Sequence, residues 1–465
     1  MNIPEFIARC RGIVGDRHVL DPADAQAYVV DWTGRWTGTP VCLVRPGSVD
    51  EVIEIVRLCR DQSVAIVPQG GNTGLVGGTA APAASILMSL RSLDLLGDTD
   101  DVRGRLRVGA GVTLAAVHDH LRGGPWRYAV DFAARDSATI GGTVATNAGG
   151  VHVFRFGTTR AQVAGLEWVT SDGELIQRLS GLDKDNTGYD ITSLLIGSEG
   201  TLGIVTHVDL RLVRRPATFV TALIGFGSIG AAVPAAWSIR AADPHSEVIE
   251  VIDGPCLDLV AATRRLSSPI GSCGAALLVE SAGDDPSDGL AAAIDGCDDM
   301  RAVAVAATEL DRQRLWEFRD GISGALPSLG DVSKFDLSLP FDELESFCAG
   351  AGSLASRGGQ SARAWLFGHV CDGNLHLSVT GASDVGALED AVMADVIARH
   401  GSISAEHGIG RAKARWLDRV RSSSDIAAMR SIKHALDPAH LLNPGAIFSE
   451  GEGPRSIDLD RPARP

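Results

Sequence analysis

Three glycine-rich clusters between residues 68 and 206 constrain this chain more than anything else in it: PQGGNTGLVGG (Pro68–Gly78), TIGGTVATNAGG (Thr139–Gly150) and IGSEGTLGIVT (Ile196–Thr206). The first stands at an informative place. VCLVRP (Val41–Pro46) reads as a strand, Ser48 with Glu51 as a capping box, and Val52, Ile53, Val56 and Cys59 as one helical face leading to the strand VAIV (Val64–Val67). Strand, helix and strand in this order are a βαβ unit, with a right-handed crossover expected. A glycine-rich loop leaving a buried parallel strand can turn its N–H groups toward phosphate oxygens. Any one cluster is equally well a tight turn in a β-rich domain. Three together favour a backbone-lined groove for an extended, phosphate-bearing cofactor.

A further strand-like run, Ile86–Ser89, follows the first cluster, and an alternating strand, HVDLRLV, follows the third. The texture changes near Arg214–Pro216, where a new strand (Phe219–Ile224) begins. Helical and strand-like runs then alternate to about Asp437. LDPAHLLNPGAIF (Leu436–Phe448) reads as a helix stopped by Asn443-Pro444-Gly445, and GEGPRSIDLDRPARP as a disordered tail. At roughly 150 residues per domain, 465 residues suggest about three domains or lobes.

Charge excludes one class of partner. The chain has 42 Lys and Arg against 58 Asp and Glu, a net charge of −16 with no basic block, so nucleic acid is not expected. The eight cysteines are scattered without a CxxC pair, which suits reduced thiols in a cytosol. The N-terminus has no signal-peptide core, and the longest charge-free run, Gln62–Leu90, is broken by glycines and prolines. A cytoplasmic protein without a transmembrane segment is expected.

Residues 225–230, GFGSIG, match GxGxxG after a strand and before a helical stretch, with Asp253 near the place of a ribose-binding acid. The motif opens a second domain after another candidate phosphate loop has appeared, and Pro234 falls near the first turn of its helix. An ordinary strand-to-helix turn is preferred over a nicotinamide site.

Side chains that carry chemistry gather downstream. FGHVCDGNLHLSV (Phe367–Val379) places His369 and His376 on either side of Asp372-Gly373, a turn-forming pair that can bring them together. Lone histidines on apolar strands are usually satisfied core residues. SISAEHGIG (Ser402–Gly410) adds Glu406 beside His407, and two imidazoles with a carboxylate are a common divalent-metal set that leaves His407 free as a base. Between these regions, Arg319 and Ser323 would share a helical face, which alone reads as solvated. Lys334 is one of four lysines, with Lys184, Lys413 and Lys433.

PQGGNTGL, IGGTVATNAGG, KDNTGYD, IGSEGTLGIVT, FGHVCDGNLH and SAEHGIG, in this order, resemble the vanillyl-alcohol-oxidase-type flavoproteins. More narrowly they resemble the D-2-hydroxyacid dehydrogenase branch, which includes enzymes for D-2-hydroxyglutarate, D-lactate and glycolate. The resemblance runs from about residue 15 to 448. It implies an α+β, two-domain fold. An FAD-binding domain of two α+β subdomains would occupy residues 1–215. A substrate and metal-containing cap domain, a large antiparallel sheet flanked by helices, would occupy 216–435. Residues 436–450 would return to the FAD domain, ahead of the tail at 451–465.

By the same resemblance, FAD lies on Pro68, Gly70, Gly71, Asn72, Thr73, Gly74 and Leu75. Thr139, Gly142, Ala145, Thr146, Gly149, Gly150, Ile204 and Asn443 line the rest of its site. GGNTGL contains no His or Cys, so FAD is expected to be non-covalent. Many members read NPGK where this chain has Ala446 after Asn443-Pro444-Gly445, so what that lysine contributes is absent or supplied elsewhere. His369, His376 and Glu406 match metal ligands, most often zinc. Asn374 matches a substrate contact, and His407 the general base. Arg319, Ser323 and Lys334 match the 2-hydroxyglutarate pattern, with Ser in place of Thr, which reverses the solvated-face reading.

The implied reaction is a two-electron oxidation. The metal lowers the pKa of the substrate hydroxyl, His407 takes its proton, and the C2 hydride passes to the flavin. D-2-hydroxyglutarate suits two cations plus a metal; D-lactate or glycolate is the runner-up. A metal-dependent hydrolase or a non-redox flavoprotein transferase is the alternative from another class. Electrons would leave to an electron-transfer flavoprotein or a quinone, and the resemblance allows a homodimer.

Overall fold

The computed structural model describes residues 2–182 and 184–449, so the expected tail at 451–465 lies outside the described residues. The architecture is α+β, built on three main sheets rather than a repeat.

The first sheet orders its strands Val19–Leu20, Cys42–Val44, Ser85–Ser89, Ala65–Gln69, the last three parallel. The two strands of the βαβ unit are therefore not neighbours. Ser85–Ser89, buried along its whole length, is inserted between them. Helix Val49–Gln62 starts as a capping box: the Glu51 N–H donates to Ser48 Oγ (3.2 Å), and the Glu51 carboxylate accepts from Gly47 N–H (2.6 Å). Its buried face is completed by Ile55 rather than by Ile53.

The second sheet is antiparallel, in the order Leu96–Asp100, Arg105–Gly109, Ile204–Arg211, Val163–Val169, Leu175–Arg178. Ile140 and Val144, from helix Ile140–Thr146, share one core with Val108, Leu166 and Val208 of this sheet. That packing fixes the second glycine cluster beside the first.

The third sheet has seven antiparallel strands, running Met300–Val305, Thr218–Phe226, Ala275–Gly283, Ser246–Asp253, Arg363–Gly368, Asn374–Thr380, Val332–Ser338. Helices cover both faces, which explains its continuous apolar runs. Ala275, Leu277 and Val279 enter one core, while Ala276 and Leu278 enter the other. In the GFGSIG segment, strand Thr218–Phe226 is antiparallel to both neighbours, unlike a dinucleotide fold. Asp253 instead caps helix Gly254–Arg264 and accepts the Leu366 N–H at 2.9 Å.

The chain end departs from the expected helix over Leu436–Phe448. Helix Ser423–Leu436 stops there, because the Asp437 carboxylate takes the N–H groups of Leu441 (2.9 Å) and Leu442 (2.8 Å). Residues 441–443 then run beside strand Ala65–Gln69: Ile66 N–H donates to Leu441 O (2.7 Å) and Asn443 N–H to Ile66 O (2.8 Å). Lys433, buried, fastens the turn by donating to Thr201 O and Leu442 O, both at 2.8 Å.

Candidate active site

A cavity of about 1000 Å³ opens between the first two sheets and the third. One wall is nearly all backbone. Pro68, Gly70, Gly71, Asn72, Thr73, Gly74 and Leu75 line it, with Thr139, Gly142, Ala145, Thr146, Gly149, Gly150, Ile204 and Asn443. Gly70, Gly71, Gly149 and Gly150 are there because chains approach closely. A Cβ on Gly71 would stand 1.9 Å from Ser137 O, and one on Gly150 (φ 114°) 2.1 Å from Asp131 O. The Asn72 side chain turns away from the cavity and donates to Val30 O at 2.8 Å. Asn443 spends its amide on Gly78 O (3.0 Å) and Glu199 O (2.8 Å), which ties the chain end to the cavity floor. This bare-backbone cradle fits a long phosphate-bearing cofactor. KDNTGYD takes no part in it: Lys184–Asp190 are exposed and off the cavity.

The opposite wall carries the ionisable groups. Strand Arg363–Gly368 delivers His369, a short 3-10 turn and Gly373 (φ 79°) reverse the chain, and strand Asn374–Thr380 delivers His376. The two imidazole centroids lie 5.3 Å apart. Glu406 comes from loop 402–410, which is clamped on both sides. Asp336 Oδ2 accepts the N–H groups of Glu406 (2.8 Å) and His407 (3.0 Å), while Glu199 accepts those of Ile409 and Gly410, both at 2.7 Å. Glu406 Oε2 stands 3.8 Å from His369 Nε2 and 4.0 Å from His376 Nε2, and its Oε1 accepts the Gly150 N–H from the other wall.

His369, His376 and Glu406 each present a ligand atom within 4.8 Å of the others, and so do Asp336, Glu406 and His407. The first set fits a divalent ion better, because a carboxylate holds the far nitrogen of His369 and another lies near that of His376. His369 Nδ1 pairs with Glu250, and His376 Nδ1 lies 3.7 Å from Asp336 Oδ1. The three groups also set one another's charge. Burial alone would lower the pKa of His369, but Glu250 and Glu406 raise it well above the usual 6.5. Burial and His369 push His376 down to about 4. Although burial opposes it, His369 holds Glu406 at about 2.

Arg319 and Ser323, on helices Glu309–Asp320 and Ile322–Ala325, and Lys334, on strand Val332–Ser338, line the same cavity. Arg319 is buried rather than on a solvated face. Its Nε donates to Glu250, and its guanidinium lies 4.9 Å from the Phe367 ring centroid, leaving the Nη edge for a ligand. Lys334 has no carboxylate partner among the described residues, and burial lowers its pKa. Asn374 does not reach the wall. It is buried behind it, donating to Asp336 Oδ1 and Leu337 O, both at 2.8 Å, with its own Oδ1 unpartnered.

Sequence reasoning missed the carboxylates behind the site: Glu250, Asp336 and Glu199. A signal existed for Glu250, a lone acid in the buried apolar run VIEVI (Val248–Ile252). Asp336 shares the face of Lys334 two residues away.

Comparison with known proteins defines the class. Residues 40–178 match the family model described as FAD binding domain, and residues 215–447 that of FAD linked oxidases, C-terminal domain. The chain belongs to the FAD-linked oxidases, and it is a flavin-dependent oxidoreductase. Within that class, it is 38% identical to D-2-hydroxyglutarate dehydrogenase of Xanthomonas citri pv. viticola, over 98% of this chain and 99% of that one. It is 36% identical to the mitochondrial D-2-hydroxyglutarate dehydrogenase of Bos taurus, over 94% and 82% of the two chains. A D-2-hydroxyglutarate–pyruvate transhydrogenase of Saccharomyces cerevisiae is 31% identical over 95% and 93%. Among solved structures, p-cresol methylhydroxylase shares the fold at TM-score 0.76 and 15% identity, over 97% of this chain and 98% of that one.

Proposed function

We propose that this enzyme oxidises D-2-hydroxyglutarate to 2-oxoglutarate. FAD would bind non-covalently along the glycine-lined wall, and a divalent ion, zinc first among the candidates, would be held by His369, His376 and Glu406. One observation carries the reading. Arg319 and Lys334 face the cavity that also holds the metal-competent triad, so a substrate with two carboxylates finds a cationic partner for each. The names of the similar dehydrogenases support the same substrate.

Bound FAD supplies the two-electron acceptor and a bound divalent ion supplies Lewis acidity. The chain supplies the rest. His407 turns Nδ1 toward Asp336 Oδ2 (3.6 Å), so its Nε2 takes the hydroxyl proton while Asp336 stabilises the resulting imidazolium. Arg319, braced by Glu250, engages one substrate carboxylate with Ser323 beside it; Lys334 engages the other. Asn374 acts from behind by fixing Asp336. Electrons leave to an electron-transfer flavoprotein or a quinone. Eight free cysteines favour a reducing, cytoplasmic setting, and no helix among the described residues is long and apolar enough to cross a membrane.

Anaerobic mixing with D- and L-2-hydroxyglutarate, D-lactate and glycolate tests the proposal. Flavin absorbance should bleach fastest with D-2-hydroxyglutarate. Equal bleaching by a monocarboxylate would move the assignment to D-lactate or glycolate, and a flavin that no 2-hydroxyacid bleaches would end it.

A further inference from the structure

Trp32 is exposed (69%) yet lines the cavity, and none of the other seven of the chain's eight tryptophans is exposed. Tryptophan is highly buried on average, so an exposed one at the rim of a cavity stands apart from the other seven. Its support is rigid. Asp31 accepts Thr33 Oγ1–H at 2.8 Å and Trp36 N–H at 3.2 Å, and its own N–H donates to Trp36 O at 2.9 Å, closing a tight hairpin with Trp32 at the tip.

Three contacts set where that tip stands. Asn72, in the cofactor loop, donates to Val30 O at 2.8 Å. Gly77 (φ 67°) lies so close under the Trp36 ring that a Cβ would stand 2.7 Å from it. Arg35 reaches the other lobe in an ion pair with Glu389 at 2.9 Å.

The neighbouring Val76 carbonyl accepts the N–H groups of Arg411 (2.9 Å) and Ala412 (3.0 Å), just beyond the His407 loop. Gly70 and Gly71, by contrast, pack against Thr139 and Ser137. The hairpin is thus fastened where the cofactor loop meets the catalytic loop, the end at which a redox ring must sit.

We propose that Trp32 is a cofactor-binding residue whose indole covers the isoalloxazine of bound FAD at the cavity mouth. The proposal rests on FAD occupying the glycine-lined wall. Covering the ring would order it and limit its contact with solvent, and an indole against a flavin quenches the emission of both.

The test uses the purified holoenzyme and the apo-protein made from it, for the wild type, Trp32→Phe and Trp32→Ala. FAD and riboflavin should quench tryptophan emission more in the wild type than in Trp32→Phe, and ADP should not. Bound flavin should fluoresce more brightly in Trp32→Ala, whose FAD dissociation constant should rise about tenfold, with Trp32→Phe between the two. Equal quenching in the wild type and Trp32→Phe, an affinity for FAD within twofold in Trp32→Ala, or quenching by ADP as strong as by FAD would each overturn the proposal. Failure of the FAD reading itself would look different: wild-type protein that takes up no stoichiometric FAD.

Discussion

Asp336 positions His407 from two directions with one oxygen: Oδ2 accepts the His407 backbone N–H at 3.0 Å and stands 3.6 Å from its Nδ1. The other oxygen takes the Asn374 amide at 2.8 Å. Burial opposes a charge there, but His407, Lys413 and His376 together hold the carboxyl well below the ordinary carboxylate range. Asp336→Asn keeps the shape and removes the charge. The expected result is a fall in kcat of about a hundredfold, the lower end of the range for general-base catalysis, because His407 loses the carboxylate that orients it, with FAD content unchanged. Unchanged kcat in stopped-flow flavin reduction would remove Asp336 from the catalytic arrangement.

Lys334 should read the second carboxylate of the substrate. Lys334→Met is expected to raise KM for a dicarboxylate by about tenfold or more, and for a monocarboxylate far less. The pH dependence has a definite sign. Partial desolvation lowers the Lys334 pKa, so its cation is lost, as pH rises, earlier than that of a free lysine. KM for the dicarboxylate should therefore climb on the alkaline side in the wild type. In Lys334→Arg the climb should be absent, because guanidinium stays charged. Matching alkaline limbs in the two proteins would assign the titration to another group.

Glu250 holds both His369 and Arg319, from opposite oxygens of one buried carboxylate. Burial disfavours its charge, yet Arg319 and His369 keep its pKa at about 2. In Glu250→Gln the imidazole loses its anionic brace, and metal retention should weaken by about 10–100-fold. Metal analysis after dialysis against graded chelator measures it, and retention equal to the wild type would show that Glu250 serves Arg319 alone.

How much of this was legible beforehand follows from the range of each interaction. The glycine clusters were readable because close backbone approach excludes a Cβ whatever the partner. The His369–Gly373–His376 reversal was readable because it closes within a few residues. Asp336 was not, since its role depends on the pairing of Asp336 with His376 across two strands, a register that no local pattern encodes. Arg319 looked like a solvated helix residue because Glu250, which buries it, lies on a distant strand. The expected helix after Leu436 failed for a related reason: Asp437 offers its own carboxylate to N–H groups that a helix would have used.

Two glycines of one loop should separate folding from cofactor binding. A Cβ on Gly71 would meet Ser137 O at 1.9 Å, so Gly71→Ala must displace backbone. A Cβ on Gly74 would have nothing within 4 Å, so that residue has no packing reason to be glycine. Yet Gly74 lines the cavity, where added bulk enters the space assigned to FAD. Gly71→Ala should lower both apo-protein stability and FAD uptake, because the loop cannot seat against Ser137–Thr139. Gly74→Ala should leave the apo-protein's melting temperature unchanged within about 1 °C, a shift matching about 1 kcal/mol for a chain this size, while FAD affinity falls severalfold. Calorimetry of the apo-proteins beside FAD titrations measures both quantities. If Gly74→Ala binds FAD as the wild type does, the cofactor does not approach that part of the loop, and its path along the glycine wall must be redrawn.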